Sequence, residues 1–460
     1  MSRFILFGLV SALAACGSSS SGGSPGGGDD SGTSSGGFSL RVTKAGLTSK
    51  LGVLSASSGN VFVVVDLTLS NDSVASSLSE SAALFTVTTK AALVVRASPA
   101  SAVTATPCRP EVAVGSGGTA TCQLAFEIAT SDVAATLGYD DAQGHTATAA
   151  VPAARNLPPA GSLQPPARPT VTGEGGTTQW FVVDSMLFDP WMAYGYDLDA
   201  RITTAADSKT SNGTCQRKAG SSPNVLVDGN GGIDNSFGAH FVQTLAAMGR
   251  NVEHLANSGI TSGKGTLLLR LDNVGGADNA SVPGALFATG ASSAPAFDGS
   301  DVLPVSSDSV DGALDKPLAS FPGAFMAGGV WVSGDLPGDP FDVPLLFSGA
   351  RSRLPLAGGV ITVQVADGKN GIIAGVTAAA AFGDAMTPWA KSVGICPGNA
   401  TFDEVFSTFT QSADLIADAP GFEDTARECD AISVGLGFTM VKAQPPTTIV
   451  DPSVPADACK

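Results

Sequence analysis

Histidine is nearly missing: 460 residues hold three, His145, His240 and His254. A Ser-His-Asp triad or a three-histidine metal site has almost nothing to draw on. His240 and His254 fall on the polar flank of one predicted helix, but the 14 residues between them at 1.5 Å each separate them by roughly 21 Å. They cannot share an ion. His145 comes after Gln143-Gly144 and reads as a solvated turn residue. Basic residues are also scarce, 24 Lys plus Arg against 41 Asp plus Glu, a formal charge of -17. Phosphate backbones repel such a chain, which argues against a nucleic-acid partner. No HExxH, GxGxxG or P-loop occurs, and no CxxC or clustered Cys/His spacing suggests zinc. Long hydrophobic runs are absent as well. The first, Phe4 to Ala12, has about nine residues where a spanning helix needs roughly 20.

That short run has informative flanks. Arg3 is the one charge ahead of it, and it ends in Leu13-Ala14-Ala15-Cys16, a small-residue cleavage site closed by cysteine. The segment reads as a signal peptide over residues 1–15 with Cys16 as the lipid-bearing first residue of the mature chain. Residues 16–37 are, after the cysteine, almost entirely Gly and Ser with Asp29 and Asp30, a composition that stays a flexible coil. About 21 such residues span on the order of 25 Å on average and roughly 70 Å extended. GxSxG occurs twice, at Gly22–Gly26 and Gly32–Gly36. Both copies lie in this tether and not between a strand and a helix, where a nucleophile elbow needs them. Gly17, where Asp would be the usual inner-membrane retention signal, favours the outer membrane. The expected location is the cell envelope, held to the membrane by lipid, with the face left open.

Seven cysteines become six once Cys16 carries lipid: Cys108, Cys122, Cys215, Cys396, Cys429 and Cys459. An even number at wide spacing in an exported chain reads as three disulfides. Cys108 and Cys122 flank the turn-like Gly115-Ser116-Gly117-Gly118, so a cross-hairpin bridge is the firmest pairing. Closing a loop of that size contributes roughly 3 kcal/mol in the chain-entropy account. The other four allow three connectivities, with Cys396 to Cys429 slightly preferred because the two bracket a helical segment.

High Gly and Pro, 56 and 28, with few charges (14%), point to a mainly β protein. Residues 38–152 alternate like a sandwich. Val61, Val63, Val65, Leu67 and Leu69 fall on one strand face and Asp66, Thr68 and Ser70 on the other, ending in the turn Asn71-Asp72-Ser73. Shorter runs lie at Leu84–Thr89, Leu93–Arg96, Cys122–Ile128 and Thr146–Val151. The stretch Asn60 to Asn71, an acidic and serine-rich turn, and Gly117-Gly118-Thr119-Ala120 leading into Leu124-Ala125-Phe126-Glu127-Ile128 resemble the telokin-like, immunoglobulin-fold domain of unknown function found on bacterial lipoproteins. That resemblance covers about a quarter of the chain. It implies an exposed immunoglobulin-like sandwich with no catalytic residues to carry over.

Residues 153–176, with Pro158-Pro159, Pro165-Pro166 and Pro169, read as a semi-rigid linker. Residues 177–460 read as a larger β-rich domain with a few inserted helices. Strand-like runs are Trp180–Val183, Thr266–Leu271, Gly329–Val332, Val343–Phe347, Val360–Val365 and Ile372–Thr377. Phe237, Phe241, Leu245, Met248, Val252 and Leu255 line one face of a helix opening after Asn235 or Ser236. Phe402, Phe406, Phe409, Ala413 and Ile416 line another, with Thr401 and Glu404 spaced as a capping box. Gly195-Tyr196-Asp197-Leu198-Asp199, Asp228 through Asn235, and Cys429 through Phe438 resemble an uncharacterised group of lipoproteins from Gram-negative soil bacteria. The resemblance implies no mechanism.

Two phrases in this half carry chemistry. Asp228, Asn230 and Asp234, with glycines between, could offer oxygens to calcium, joined by Asp197 and Asp199. The loop departs from a Ca²⁺ hand, with Gly232 where Asp or Asn is wanted and no closing Glu, and the favoured reading is an Asx-rich turn whose side chains bond their own backbone and cap the next helix. No cofactor is expected, with calcium the one candidate exception. Trp180, Trp191, Tyr194 and Tyr196 near Asp197 and Asp199 resemble a sugar platform, whereas sandwich core uses aromatics at the same density. The expected function is a membrane-anchored envelope or surface lipoprotein acting as a non-catalytic binding or structural module, with the membrane as partner through the lipid and an envelope protein or glycan as a candidate partner. The alternative is a carbohydrate-binding protein or carbohydrate-active hydrolase using Asp197, Asp199 or Asp228.

Overall fold

The computed structural model describes residues 33–34, 37–51, 54–72, 78–104, 106–108, 113–141, 143–156, 162–171, 173, 176–210, 213–347, 350–365, 370–452 and 457–460. Residues 1–15, read above as a signal peptide, Cys16, and most of the Gly/Ser stretch lie outside them. The described chain is mainly β, 41% strand against 18% helix. No helix among the described residues is long and apolar enough to cross a membrane.

The first β unit is a sandwich of two sheets. One has strand order 118–129, 60–71, 38–48, 155–156; the other, 33–34, 146–150, 134–140, 85–89, 94–96. Its longest pairing joins Asn60–Asn71 to Gly118–Ala129 in unbroken antiparallel register. The alternation predicted for this strand holds: Val63, Val65, Leu67 and Leu69 are buried while Asp66, Thr68 and Ser70 are half-exposed. Its opposite face is not wholly polar, because Phe62 and Val64 bury a small second cluster with Ala100 and Ala125. Between the sheets, Phe38 and Phe85 meet the Tyr139 ring edge-on. The Cys108–Cys122 disulfide forms.

The second β unit is one large antiparallel sheet. Its order runs 319–321, 284–288, 267–274, 177–187, 431–442, 370–378, 350–364, 330–332, 325–327, and strand 338–347 folds back on 350–364. The sheet curls until its ends approach: Asn279 bridges Met326, and the Trp331 indole N–H donates to Val282 O at 2.8 Å. Both faces are covered. Phe181, Leu269 and Leu286 pack with the helices on one side, and Val182, Leu268 and Phe287 belong to a separate cluster on the other. Two-sided burial explains why these strands read as plain apolar runs.

Helices correct the expectations in three places. The predicted helix from Phe237 to Leu255 is broken: a π turn Phe237–Val242 runs into Gln243–Ala247, the chain turns at Gly249 with positive φ, and Val252–Thr261 restarts under an Asn251 cap. Met248 is consequently exposed. The Ala400–Gln411 helix is capped by Asn399, whose Oδ1 accepts from Phe402 N at 2.7 Å, not by a Thr401 box, and it stops before Ala413 and Ile416. A third helix, Ala379–Ser392, forms where the sequence pattern indicates none. It brings Phe382 and Trp389 into an aromatic cluster with Phe237, Phe241 and Phe409.

The remaining cysteines pair as Cys215–Cys429 and Cys396–Cys459. The expected Cys396–Cys429 bridge does not form. Cys429 sits just before the central strand 431–442, where the Cys215–Gln216 strand runs beside Asp424–Glu428 in parallel, so its spatial neighbour is 214 residues away in sequence.

Candidate functional site

The Gly195–Asp199 and Asp228–Asn235 phrases meet. Asp234 N donates to Tyr196 O at 3.0 Å, and Asp234 Oδ2 accepts from Leu198 N at 2.6 Å. Gly229 N to Ile233 O at 2.8 Å closes the glycine turn between them. The result draws Asp197, Asp199 and Asp234 together. Each offers a carboxylate oxygen within 4.8 Å of the others, and the three residues are 1, 1 and 2% exposed.

Each carboxylate is held by short-range donors. Asp197 Oδ2 accepts from Ser162 Oγ at 2.5 Å and Asp197 Oδ1 from Arg201 N at 3.0 Å. Asp199 Oδ1 takes the same Arg201 N at 2.9 Å, and its Oδ2 takes the Thr214 hydroxyl. Asp228 Oδ2 accepts from Thr203 N at 2.5 Å. Burial raises all four above the usual carboxylate range. It pushes Asp197 up to about 6, and burial with the charge of Asp199 beside it pushes Asp228 up to about 9. Asp199 and Asp234 are raised well above their ordinary value by burial and by the neighbouring carboxylates. A fifth carboxyl, Asp414, is pushed up to about 7 by burial, partly offset by the N–H and O–H of Ser433.

Such a cluster has two physical states. Either the carboxyls hold protons, or a cation replaces them. Three oxygens mutually within 4.8 Å can sit around one Ca²⁺, whose ligands lie at about 2.3–2.6 Å and therefore up to about 5 Å apart across the ion. The donor set is all oxygen, which suits a hard cation and not zinc or copper. Asp228 stands near enough for the Asp199 charge to help keep its own carboxyl protonated. Of the loop residues Asp228, Asn230 and Asp234, Asn230 is exposed on the turn, and Asp234 groups with Asp197 and Asp199.

Asn235, next in sequence, is a structural hub. Its Nδ2 donates to Trp191 O, Tyr194 O and Gly435 O, and its Oδ1 accepts from Gly238 N and Gly435 N, all between 2.9 and 3.1 Å. The aromatics expected to form a platform are dispersed. Trp180 packs on Phe287, the Tyr194 ring lies over Gly437, and Tyr196 is buried with its hydroxyl on Thr362 Oγ1 at 2.7 Å. Of the histidines, His145 pairs with Asp141 at 2.6 Å, and burial lowers His240 below its ordinary value.

The Pro-rich segment supplies what sequence reasoning missed. From Ser162 onward it is strapped along the second unit. Leu163 exchanges backbone bonds with Gly231 and Asp197, and Gln164 Nε2 donates to Asp197 O at 2.7 Å. Arg168 bonds Asp335, Ala280 O and Gly323 O, with its guanidinium 4.4 Å above the Phe325 ring. Polar residues between the prolines, Ser162, Gln164 and Arg168, were the available signal. Comparison with known proteins finds no matching family, no matching curated protein and no matching solved structure.

Proposed function

We propose that this chain is a lipid-anchored envelope lipoprotein that acts as a non-catalytic binding or structural module, its larger β unit closed by a buried calcium ion. The observation that carries the calcium reading is the meeting of Asp197, Asp199 and Asp234, three buried carboxylates with oxygens within 4.8 Å. Their burial also weighs against the alternative of a hydrolase working through Asp197 or Asp199, since a glycan would have to reach them. The anchor rests on Leu13-Ala14-Ala15-Cys16 and the Gly/Ser tether behind it. The resemblance of residues 60–128 to a telokin-like domain supports display, with an envelope protein or glycan as partner.

Calcium is tested by equilibrium dialysis and thermal melting of the full chain with and without EDTA. One bound Ca²⁺ and a Tm lowered by several degrees in EDTA are expected, both lost in Asp234→Asn. No bound Ca²⁺ and an unmoved Tm would sink it. Palmitate labelling tests the anchor: Cys16→Ala should abolish it, and continued labelling of the variant would refute the assignment.

A further inference from the structure

Away from the carboxylate cluster, two cavities open side by side where the folded-back strand 338–347 and its partner 350–364 cross the sheet end. The smaller, about 280 Å³, has a floor of Leu286, Leu318, Ala319, Phe341 and Leu356. The larger, about 640 Å³, lies against the helix 379–392 and mixes Asp308, Arg351 and Asp384 with Ala381, Ala385 and Pro388 in its wall. Asp342, Arg353 and Pro355 line both. The two are therefore one groove, apolar-floored at the smaller end and carrying charged side chains among apolar ones at the larger, with Arg353 at the junction.

The two arginines are in different conditions. Arg351 is committed: its side chain is 8% exposed, pairs with Asp308 at 2.5 Å and donates to Ser306 Oγ and Thr289 O. Arg353 is 36% exposed and stands 3.8 Å from Asp308 and 3.6 Å from Asp342, beyond hydrogen-bond length. Its guanidinium makes no hydrogen bond among the described residues, so a fork of donors is left facing the groove. Nearby in the same wall, Arg351 Nε and Ser352 Oγ are buried without partners. At the apolar end Leu318 is 58% exposed, an uncovered side chain at the mouth of a recess.

We propose that this groove binds a medium-chain carboxylate, the apolar floor taking the chain and Arg353 taking the head group in place of its loose contact with Asp342. A loose pair in water stabilises little, whereas a carboxylate accepts two parallel N–H bonds from a guanidinium. Asp342, itself half-exposed, is free to turn to solvent. The site is independent of the calcium reading.

Isothermal titration of the full chain with sodium octanoate tests it, with hexanoate, octanol and octylammonium as comparison probes. Octanoate should bind saturably and at least 10-fold more tightly than octanol or octylammonium. Each CH₂ added between hexanoate and octanoate should tighten binding by about fourfold, the effect of burying one methylene. Arg353→Gln should weaken octanoate at least 10-fold with an unchanged Tm, because it breaks no hydrogen bond. Leu318→Ser, on the rim, should weaken octanoate while leaving hexanoate less affected. No saturable binding, equal affinity for octanoate and octylammonium, or full affinity in both variants would overturn the proposal.

Discussion

At the scale of single residues, Asp414 makes stability depend on pH in a definite direction. An aspartate in the unfolded chain titrates at about 3.9, while folded Asp414 stands at about 7 because it is buried. Between those values the folded state keeps a proton that the unfolded state has released, so stability is full below about pH 4 and falls as pH rises toward 7. In EDTA the Tm should drop across that window, and Asp414→Asn should make the slope shallower; parallel curves would assign the effect elsewhere. Asn235 sets a different constraint. Its five contacts join the Trp191–Tyr194 turn, the π turn and the central strand. Asn235→Ala strands several buried backbone groups at about 1–3 kcal/mol each, and urea melts should show a loss of at least about 3 kcal/mol.

At the scale of elements, helix ends and strand faces decide what a sequence can reveal. The Asn60–Asn71 strand was legible because its valines alternate with polar residues over a full partner register. The central strand Ala431–Lys442 was not, because Gly435 and Gly437 look like turn residues. They are needed for space: a Cβ on Gly435 would lie 2.1 Å from Tyr194 O, and one on Gly437 2.5 Å from the Tyr194 ring. The helix Ala379–Ser392 hid behind an alanine run and an internal Pro388, a pattern with no clear period. For the Ala400–Gln411 helix, Thr401 and Glu404 had the right spacing, but Asn399 has the extended backbone that a cap requires. Asn399→Ala should cost about 1 kcal/mol and Thr401→Ala close to nothing, a contrast readable by chemical denaturation.

At the scale of the whole molecule, what sequence left open is contact between distant segments. The acidic phrases were recognisable one by one, but Asp197 and Asp234 meet only because the chain returns 36 residues later to bond Leu198 N. The same holds for the disulfides, where a helical segment between them favoured Cys396 with Cys429 and nearness in space gives Cys215 as the partner of Cys429. Loop length ranks the two bridges of the second unit. Cys215–Cys429 closes 214 residues and Cys396–Cys459 closes 63, so removing the first should destabilise by about 1 kcal/mol more in the chain-entropy account. Non-reducing peptide mapping, then denaturation of the two double-alanine variants, checks pairing and ranking together.

The strap from Ser162 to Gly176 also fixes where tension along the chain would be felt. A pull arriving from the sandwich side loads Ser162, Leu163 and Gln164, whose bonds run to Asp197 and Gly231. The next hold is Arg168, fastened at three separate places. Beyond it, Val171 O accepts from Ala280 N, Gly173 N donates to Asn279 Oδ1 and Gly176 N to Asn273 Oδ1 before load reaches strand 177–187. The segment thus behaves as a strain relief, and its first fastening is the carboxylate cluster itself: whatever tightens that cluster raises the force at which the chain begins to peel.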